Sequence, residues 1–436
     1  MKLLNFYLII YLFSAPLLAE NSACAPELSE GTRVQLEELY LHLHKNPELS
    51  FQEIQTAARV ATELRALDFE VTEGVGGTGV VAVLSNGAGP TVMLRMDMDG
   101  LPVQEETNVP YASFARQQEQ GETKPVMHAC GHDMHMTNLI GAAQLLSKMR
   151  NDWSGTLLIV AQPAEEKGAG ARAMLRDGLF SRFPRPDFAV AHHVDASAEA
   201  GTISLREGFH TANVDSVDIL VRGRGGHGAR PHQTKDPIVI ASQIVLALQT
   251  IVSREIDPLA PAVVTVGSFH GGSKHNIIPD EARLQLTVRS YSDETRRQLL
   301  ESIERVAQGV GRAAGLEEDL LPVVTQPKEE YTPAGYNDPT LVETARALWT
   351  QHFGADRVLE GEQSMGGEDF ACYGQVKPKI PSLLFRLGVV DRKRLKEKNL
   401  PPLHSSKFLP AYQKAIGTGV QAMTLLALKL FGSCDA

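Results

Sequence analysis

His128-Ala-Cys-Gly-His-Asp-Met-His135 holds three histidines, one cysteine and one aspartate within eight residues, directly ahead of the amphipathic run Thr137–Met149. Such side chains suit metal-assisted hydrolysis. A metal, flanking imidazoles and the positive end of a helix all favour the thiolate, the form of cysteine that binds metal. Cys130 and His132 are therefore the candidate metal pair, against the blander reading of a buried thiol beside a capped helix. Gln162-Pro163-Ala164-Glu165-Glu166 sets two carboxylates at the end of an apolar run. Adjacent side chains diverge, so Glu166 is assigned as a ligand and Glu165 as the general base that deprotonates a nucleophilic water and later protonates a leaving nitrogen. The competing reading is a carboxylate pair favoured by a helix dipole. His192-His193 offers two imidazoles of which one should bind. His404 stands in the polar turn Pro402–Ser406. Either of these loci alone would more often be structural.

The elements that must position these groups alternate. Helical spacing over Glu30–Ala66 breaks at Asn46-Pro47, and strands are predicted at Val80–Leu84, Thr91–Met96, Thr156–Ala161 and Phe188–Ala191, with a helix at Asp133–Met149. Alternating strands and helices imply an α/β fold with a mostly parallel sheet, whose ligand sites lie beyond the carboxyl ends of its strands. The loaded clusters fall at such ends. From Ser216 the predicted order becomes strand, helix Pro237–Ser253, strands Val263–Phe269 and Ala282–Tyr291, helix Glu294–Ala314 and strand Leu321–Thr325. That order is a ferredoxin-like α+β unit. Residues 209–325 are thus expected to be an insertion into a larger domain that closes across it, 24–208 with 326–436 forming the metal-binding catalytic domain. Helices Pro339–Phe353 and Ala411–Leu430 flank a strand Ser382–Leu387 in the returning part.

The chain has 436 residues, 43% of them hydrophobic, enough to bury more than one core. A net charge of −10 with no Lys/Arg-rich block argues against nucleic acid or an anionic membrane as the main partner. Met1-Lys2, the apolar run Leu3–Leu12 and the small residues through Ala19 follow the order of a secretory signal, with cleavage after Ala19 or Ala23. The mature chain (signal 1–23 removed) is expected to be exported, periplasmic or secreted. In an oxidising compartment Cys24 and Cys434, at the two ends, are expected to pair, whereas Cys372 is expected to pack as a small buried residue.

Read together, NPELSFQE at 46–53, RMDMDGLPVQEET at 95–107, MHACGHDMH at 127–135, QPAEEKGAGA at 162–171, GGHGARPH at 225–232, NIIP at 276–279, MGGEDFA at 365–371 and the PLHSS turn resemble the M20 metallopeptidase family. The nearest branch is its amidohydrolases: hippurate hydrolases, N-acyl-amino-acid deacylases and auxin-conjugate hydrolases. The resemblance implies two divalent ions (zinc, manganese or nickel) held by Cys130, His132, Glu166, His193 and His404, with Glu165 as catalytic carboxylate. His193 is preferred over His192 because Val194 follows it, as in the family. The resemblance also implies that the insertion is a lid or dimerisation domain whose His227 and Asn276 approach the substrate, His227 polarising the scissile carbonyl and, in dimeric members, reaching the partner's site. Asp97 and Asp99 match an acidic strand end that would orient a ligand. Gly100, His192, Asp195 and Ser406 depart from the pattern without removing a ligand.

The expected substrate is a small amide, an N-acyl amino acid or similar conjugate. The rivals are a dipeptidase or carboxypeptidase with the same centre and a non-catalytic periplasmic binding protein. A pure binder would have no need of Glu165.

Overall fold

The computed structural model describes residues 27–327 and 330–433; the expected signal, Cys24 and Cys434 lie outside them. The Ser29 hydroxyl accepts from the Thr32 amide and opens α1 (Glu30–Lys45). A turn through Pro47, which cannot donate to a helix, separates it from α2 (Ile54–Arg65). Then follow β1 (Glu70–Val75), β2 (Gly79–Asn86), β3 (Thr91–Asp97), α3 (His132–Lys148), β4 (Gly155–Gln162), β5 (Phe188–Glu199) and β6 (Ile203–Leu205).

The chain next builds β7 (Asn213–Arg222), α4 (Pro237–Thr250), β8 (Ala262–Gly271), β9 (Glu281–Ser290), α5 (Asp293–Ala313), β10 (Val323–Thr325) and β11 (Tyr331–Thr332). It returns through α6 (Pro339–Phe353), β12 (Val358–Glu360), β13 (Ser382–Val390) and α7 (Tyr412–Leu430).

The first sheet has the order β1-β2-β4-β3-β5-β13-β6-β12. Its four central strands β4, β3, β5 and β13 are parallel. β1 and β2 add antiparallel strands on one side, and on the other β6 runs antiparallel to β13. Pairing of β3 with β5 stops at Arg95↔Ala191, so β5 runs on and carries His192 and His193 past the end of its neighbour. α3 packs between this sheet and α1 and α7. Met134, Leu139, Ile140 and Leu146 on it have no exposed surface. Each such side chain contributes about 1.5–3 kcal/mol by burial, which fixes the helix whose first residue is His132.

β8-β9-β7-β10 form a second, antiparallel sheet, with β11 also on β7. It has the expected β-α-β-β-α-β order and its own core of Val217, Ile219, Ile240, Ile244, Leu284 and Ile303 among others. Its edges differ slightly from the expected 209–325: Gly208–Thr211 pairs with Gly335–Asn337 where the two crossings meet, and β11 extends the sheet to Thr332. By length and hydropathy Pro237–Glu255 could cross a membrane. One side of it, Ile240, Ala241, Ile244 and Leu248, lies in the second core.

Candidate metal centre

Three turns converge at the carboxyl side of the central strands, and each holds a residue with positive φ: Gly131 at 79°, Ala164 at 48° and His404 at 64°. A side chain at Gly131 would stand 2.6 Å from Val194 Cγ2. Only glycine lets the start of α3 meet β5 this closely, and that contact brings Cys130 to His193. Ala164 and His404 hold the same left-handed region without glycine's freedom, strain of the kind that gathers at functional sites.

Cys130 Sγ lies 3.4 Å from His193 Nε2 and 3.3 Å from His404 Nε2. Glu166 closes the group, its Oε2 3.6 Å from His404 Nε2 and its Oε1 3.8 Å from His132 Nε2. Two ligand triplets result, Cys130 with His132 and His193, and Cys130 with Glu166 and His404; within each, the ligand atoms lie within 4.8 Å of one another. The thiol is the shared vertex. Glu165 stands beside them with Oε2 4.0 Å from His132 Nε2.

Hydrogen bonds settle which nitrogen faces inward. His132 Nδ1 donates to the Asp99 carbonyl at 2.7 Å, and His193 Nδ1 donates to the Val194 carbonyl at 2.8 Å. A carbonyl only accepts, so both rings carry a proton on Nδ1 and turn Nε2 toward Cys130. His135 is excluded as a ligand: its Nδ1 donates to Asp97 Oδ1 at 2.6 Å and its Nε2 accepts from the Val194 amide at 3.0 Å. His192 points to the other face of β5, where Nε2 meets Asn138 Nδ2 at 3.0 Å and the ring stacks on Phe385. His128 is buried away from the cluster, and burial pushes it down to about 4. The tandem histidines and the dense segment therefore each supply one inward ring.

The groups present fit divalent ions. His132 Nε2 and Glu166 Oε1 are buried with no hydrogen-bond partner, a cost of about 1–3 kcal/mol per group unless something answers them. A thiol, three imidazoles and a carboxylate around one point are the donor types of zinc and its neighbours. Burial, then the charge of Glu166, holds the Cys130 thiol well above its ordinary range. Burial, then Glu368, Glu166 and Asp369, does the same for the Glu165 carboxyl. A cation between the two would favour the charged form of both.

Asp99 behaves as expected of a group that orients ligands. Its Oδ1 accepts from the Glu165 amide and its Oδ2 from the Glu166 amide, both at 3.1 Å, and Ser50 Oγ donates to Oδ2 at 2.6 Å. Asp97 ties His135 to Arg95, accepting from Arg95 Nη1 at 2.6 Å. Arg95 was given no role by sequence reasoning, yet it is fully enclosed and also donates to Gln162 at 3.0 Å, Glu368 at 3.0 Å and Asp369 at 3.2 Å. Glu368 and Asp369 approach Glu165 to form a wholly acidic group. The available signal was an arginine inside the apolar run of β3 and the acidic pair in MGGEDFA.

His227 and Asn276 are not brought to the cluster within this chain. They sit on an exposed two-strand ribbon, Gly226–His227 paired with Ile277–Ile278, and the Asn276 carbonyl accepts from the Gly228 amide at 2.9 Å. Neither lines the cleft of about 710 Å³ that holds Cys130, Glu165, Glu166, His193 and His404. The same cleft is lined by Thr211, Arg289 and Arg386, reaching from both sheets. Cys372 is buried in a satellite core, as expected.

The family model described as Peptidase family M20/M25/M40 matches residues 93–429. The chain is 39% identical to a hippurate hydrolase of Campylobacter jejuni, over 79% of this chain and 86% of that one. It is 37% identical to thermostable carboxypeptidase 2 of Saccharolobus solfataricus, over 89% and 93%. A solved Bacillus subtilis structure, described as a dinuclear metal-binding peptidase of the M20 family, superposes with a TM-score of 0.75 at 30% identity, covering 93% of this chain and all of that one.

Proposed function

Since the chain belongs to peptidase family M20/M25/M40 and is a hydrolase of amide bonds, we propose that it releases the amino acid from N-acyl amino acids or similar small conjugates. Cys130, His132 and His193 would hold one divalent ion, and Cys130, Glu166 and His404 the other. When bound, such ions acidify a water and polarise a carbonyl. Glu165 takes the proton of the attacking water and returns it to the departing nitrogen. Asp99 keeps Glu165 and Glu166 in the turn that separates base from ligand. Zinc is proposed first, on the thiolate and imidazoles, with manganese or nickel as the alternatives.

One observation carries this reading: Glu165, 4.0 Å from His132 Nε2 and grouped with His132 and Glu166, stands outside both triplets that share Cys130. The test is Glu165→Gln, with metal content and turnover of hippurate or N-acetylmethionine measured together. Metal retained and turnover lost supports it; near-normal turnover overturns it. A carboxypeptidase or dipeptidase activity is the second reading, favoured by the likeness to the Saccharolobus solfataricus enzyme. Rates on N-acyl amino acids against dipeptides separate the two.

A homodimer through the second sheet is also proposed. Val239 and Leu246 of α4, Phe269 of β8 and Ile277 are 53%, 72%, 40% and 52% exposed, an apolar surface at one edge of that sheet. Pairing there supports the role expected of His227 in the partner's cleft, and the molecular mass in solution tests it. Export is proposed from residues 1–23. Amino-terminal sequencing of the mature protein from a host with a periplasm tests that.

A further inference from the structure

The cleft holds a cation that the proposed chemistry does not use. Arg386 lies on β13 directly beside His193 of β5 in the parallel register. Residues so paired point to the same face of a sheet on strands roughly 5 Å apart. The strand reads Ser-Leu-Leu-Phe-Arg-Leu-Gly-Val-Val. Phe385 and Leu387 enter the main core, while Leu384 and Arg386 line the cleft. A half-buried guanidinium in such a run is placed to pair with an anion that enters the cleft.

No described residue does so. The cleft carboxylates Glu165, Glu166, Glu330, Glu368 and Asp369 make no ion pair with Arg386, and its half-buried head has no hydrogen bond to any described group. Thr211, in the same cleft, is 3% exposed and its Oγ1 is also unpartnered. The charge of Arg386 reaches this spot, since burial and then Arg386 push the adjacent His210 down to about 3. The other cleft guanidinium, Arg289, enters from the second sheet, donating to the Met365 carbonyl at 2.7 Å and to Thr287 Oγ1 at 3.2 Å. Two guanidiniums thus face one cleft from different sheets, and an N-acyl amino acid has only one carboxylate to offer them.

We propose that Arg386 and Thr211 form an anion subsite beside the metal cluster, and that the preferred amides carry a second carboxylate, in the acyl half or in the amino-acid half. The forked guanidinium matches a carboxylate with two parallel hydrogen bonds. This inference rests on the amidohydrolase reading above.

The test compares isosteric pairs on metal-loaded full-length protein: N-acetylglutamate with N-acetylglutamine for the amino-acid half, and N-succinylmethionine with N-succinamoylmethionine for the acyl half. In at least one pair the acid is expected to have the higher kcat/KM by about ten- to a hundredfold. The pair that shows it locates the second carboxylate. Arg386→Gln should erase that preference mainly through KM, leaving the side-chain-amide partner, which keeps its single α-carboxylate, within about twofold, and Arg386→Lys should restore part of it. Glutarate binding by calorimetry gives a second readout, with Kd raised at least about tenfold in Arg386→Gln. Hydrolysis without acid preference in either pair, or an equal loss on acid and amide in Arg386→Gln, overturns the subsite and leaves the amidohydrolase reading standing. Arg386-dependent glutarate binding with none of the four amides cleaved supports the subsite and overturns the amidohydrolase reading. Glutarate binding that ignores Arg386→Gln overturns the subsite.

Discussion

The side chain of Asp99 accepts the main-chain N–H of Glu166, at 3.1 Å, through the oxygen that also receives Ser50 Oγ, and its other oxygen takes the N–H of Glu165. One carboxylate from the end of β3 thus sets the direction of both glutamates after β4. Asp99→Asn keeps the shape but replaces one acceptor oxygen with a donor, so one of the two amides loses its partner. Metal affinity is expected to fall by about ten- to a hundredfold, read by competition with a chromogenic chelator, while the circular dichroism spectrum is unchanged.

Gly131→Ala tests whether the close approach of α3 to β5 is what assembles the cluster. The new methyl must hold a φ of 79° and meet Val194 Cγ2 at 2.6 Å, so a cost of roughly 1–3 kcal/mol is expected. That appears as a Tm lower by several degrees. Val194 moves with His193, so metal affinity should fall too. Adding Val194→Ala relieves the contact but not the backbone strain, and should recover part of both losses. Unchanged metal affinity in Gly131→Ala would separate the turn from the site.

Much of this arrangement was legible in the residue order. Cys130, His132 and Glu166 were readable because metal-competent side chains stand at the ends of apolar runs, whereas His193 and His404 joined them only through the family resemblance. The orienting role of Asp99 came from the family resemblance, which matched it to an acidic strand end. Arg95 was illegible for a physical reason: its partners Glu368 and Asp369 lie 273 and 274 positions away, and nothing local announces that a charge inside β3 will be answered. Arg386 shares that anonymity. The choice between His192 and His193 depended on which face of β5 looks at Cys130, which resemblance suggested and register decides. His227 and Asn276 came from resemblance alone, and they sit on a ribbon that one chain does not fold onto its own cleft.

Stability should depend on pH through His44. Its Nδ1 lies 2.7 Å from Asp133 Oδ2 and its Nε2 3.2 Å from Glu105 Oε1. Two carboxylates on the two nitrogens hold the ring as an imidazolium. Burial alone would lower its pKa, but the hydrogen bonds to Asp133 and Glu105 prevail and raise it from 6.5 to about 9. The folded state then binds this proton more tightly than the unfolded state. Its contribution is complete below about pH 6.5 and is lost as pH rises through about 9, roughly 3 kcal/mol in all. Urea unfolding at pH 6, 7.5 and 9 should show the decline in the wild type and a flatter profile in His44→Gln. A wild type equally stable at pH 6 and 9 would contradict it.

Arg95 gives the largest expected effect of a single change. It is 1% exposed and is held among Asp97, Glu368, Asp369 and Gln162. Burial alone would raise the Asp97 carboxyl, but Arg95 together with His132 and His135 holds it well below its ordinary range, whereas burial wins at Asp369 and raises it to about 7. Arg95→Met fills similar space but leaves Asp97 buried without its cation. Breaking one side of such a group costs about 3–5 kcal/mol, and urea unfolding measures it. Because Asp97 also receives the proton of His135, which in turn accepts the Val194 amide, the disturbance should reach the His193 backbone and weaken metal binding. The double variant Arg95→Met with Asp97→Asn removes cation and anion together and should be less destabilised than Arg95→Met alone. If the two are equally destabilised, Arg95 acts through Glu368 and Asp369 instead of Asp97.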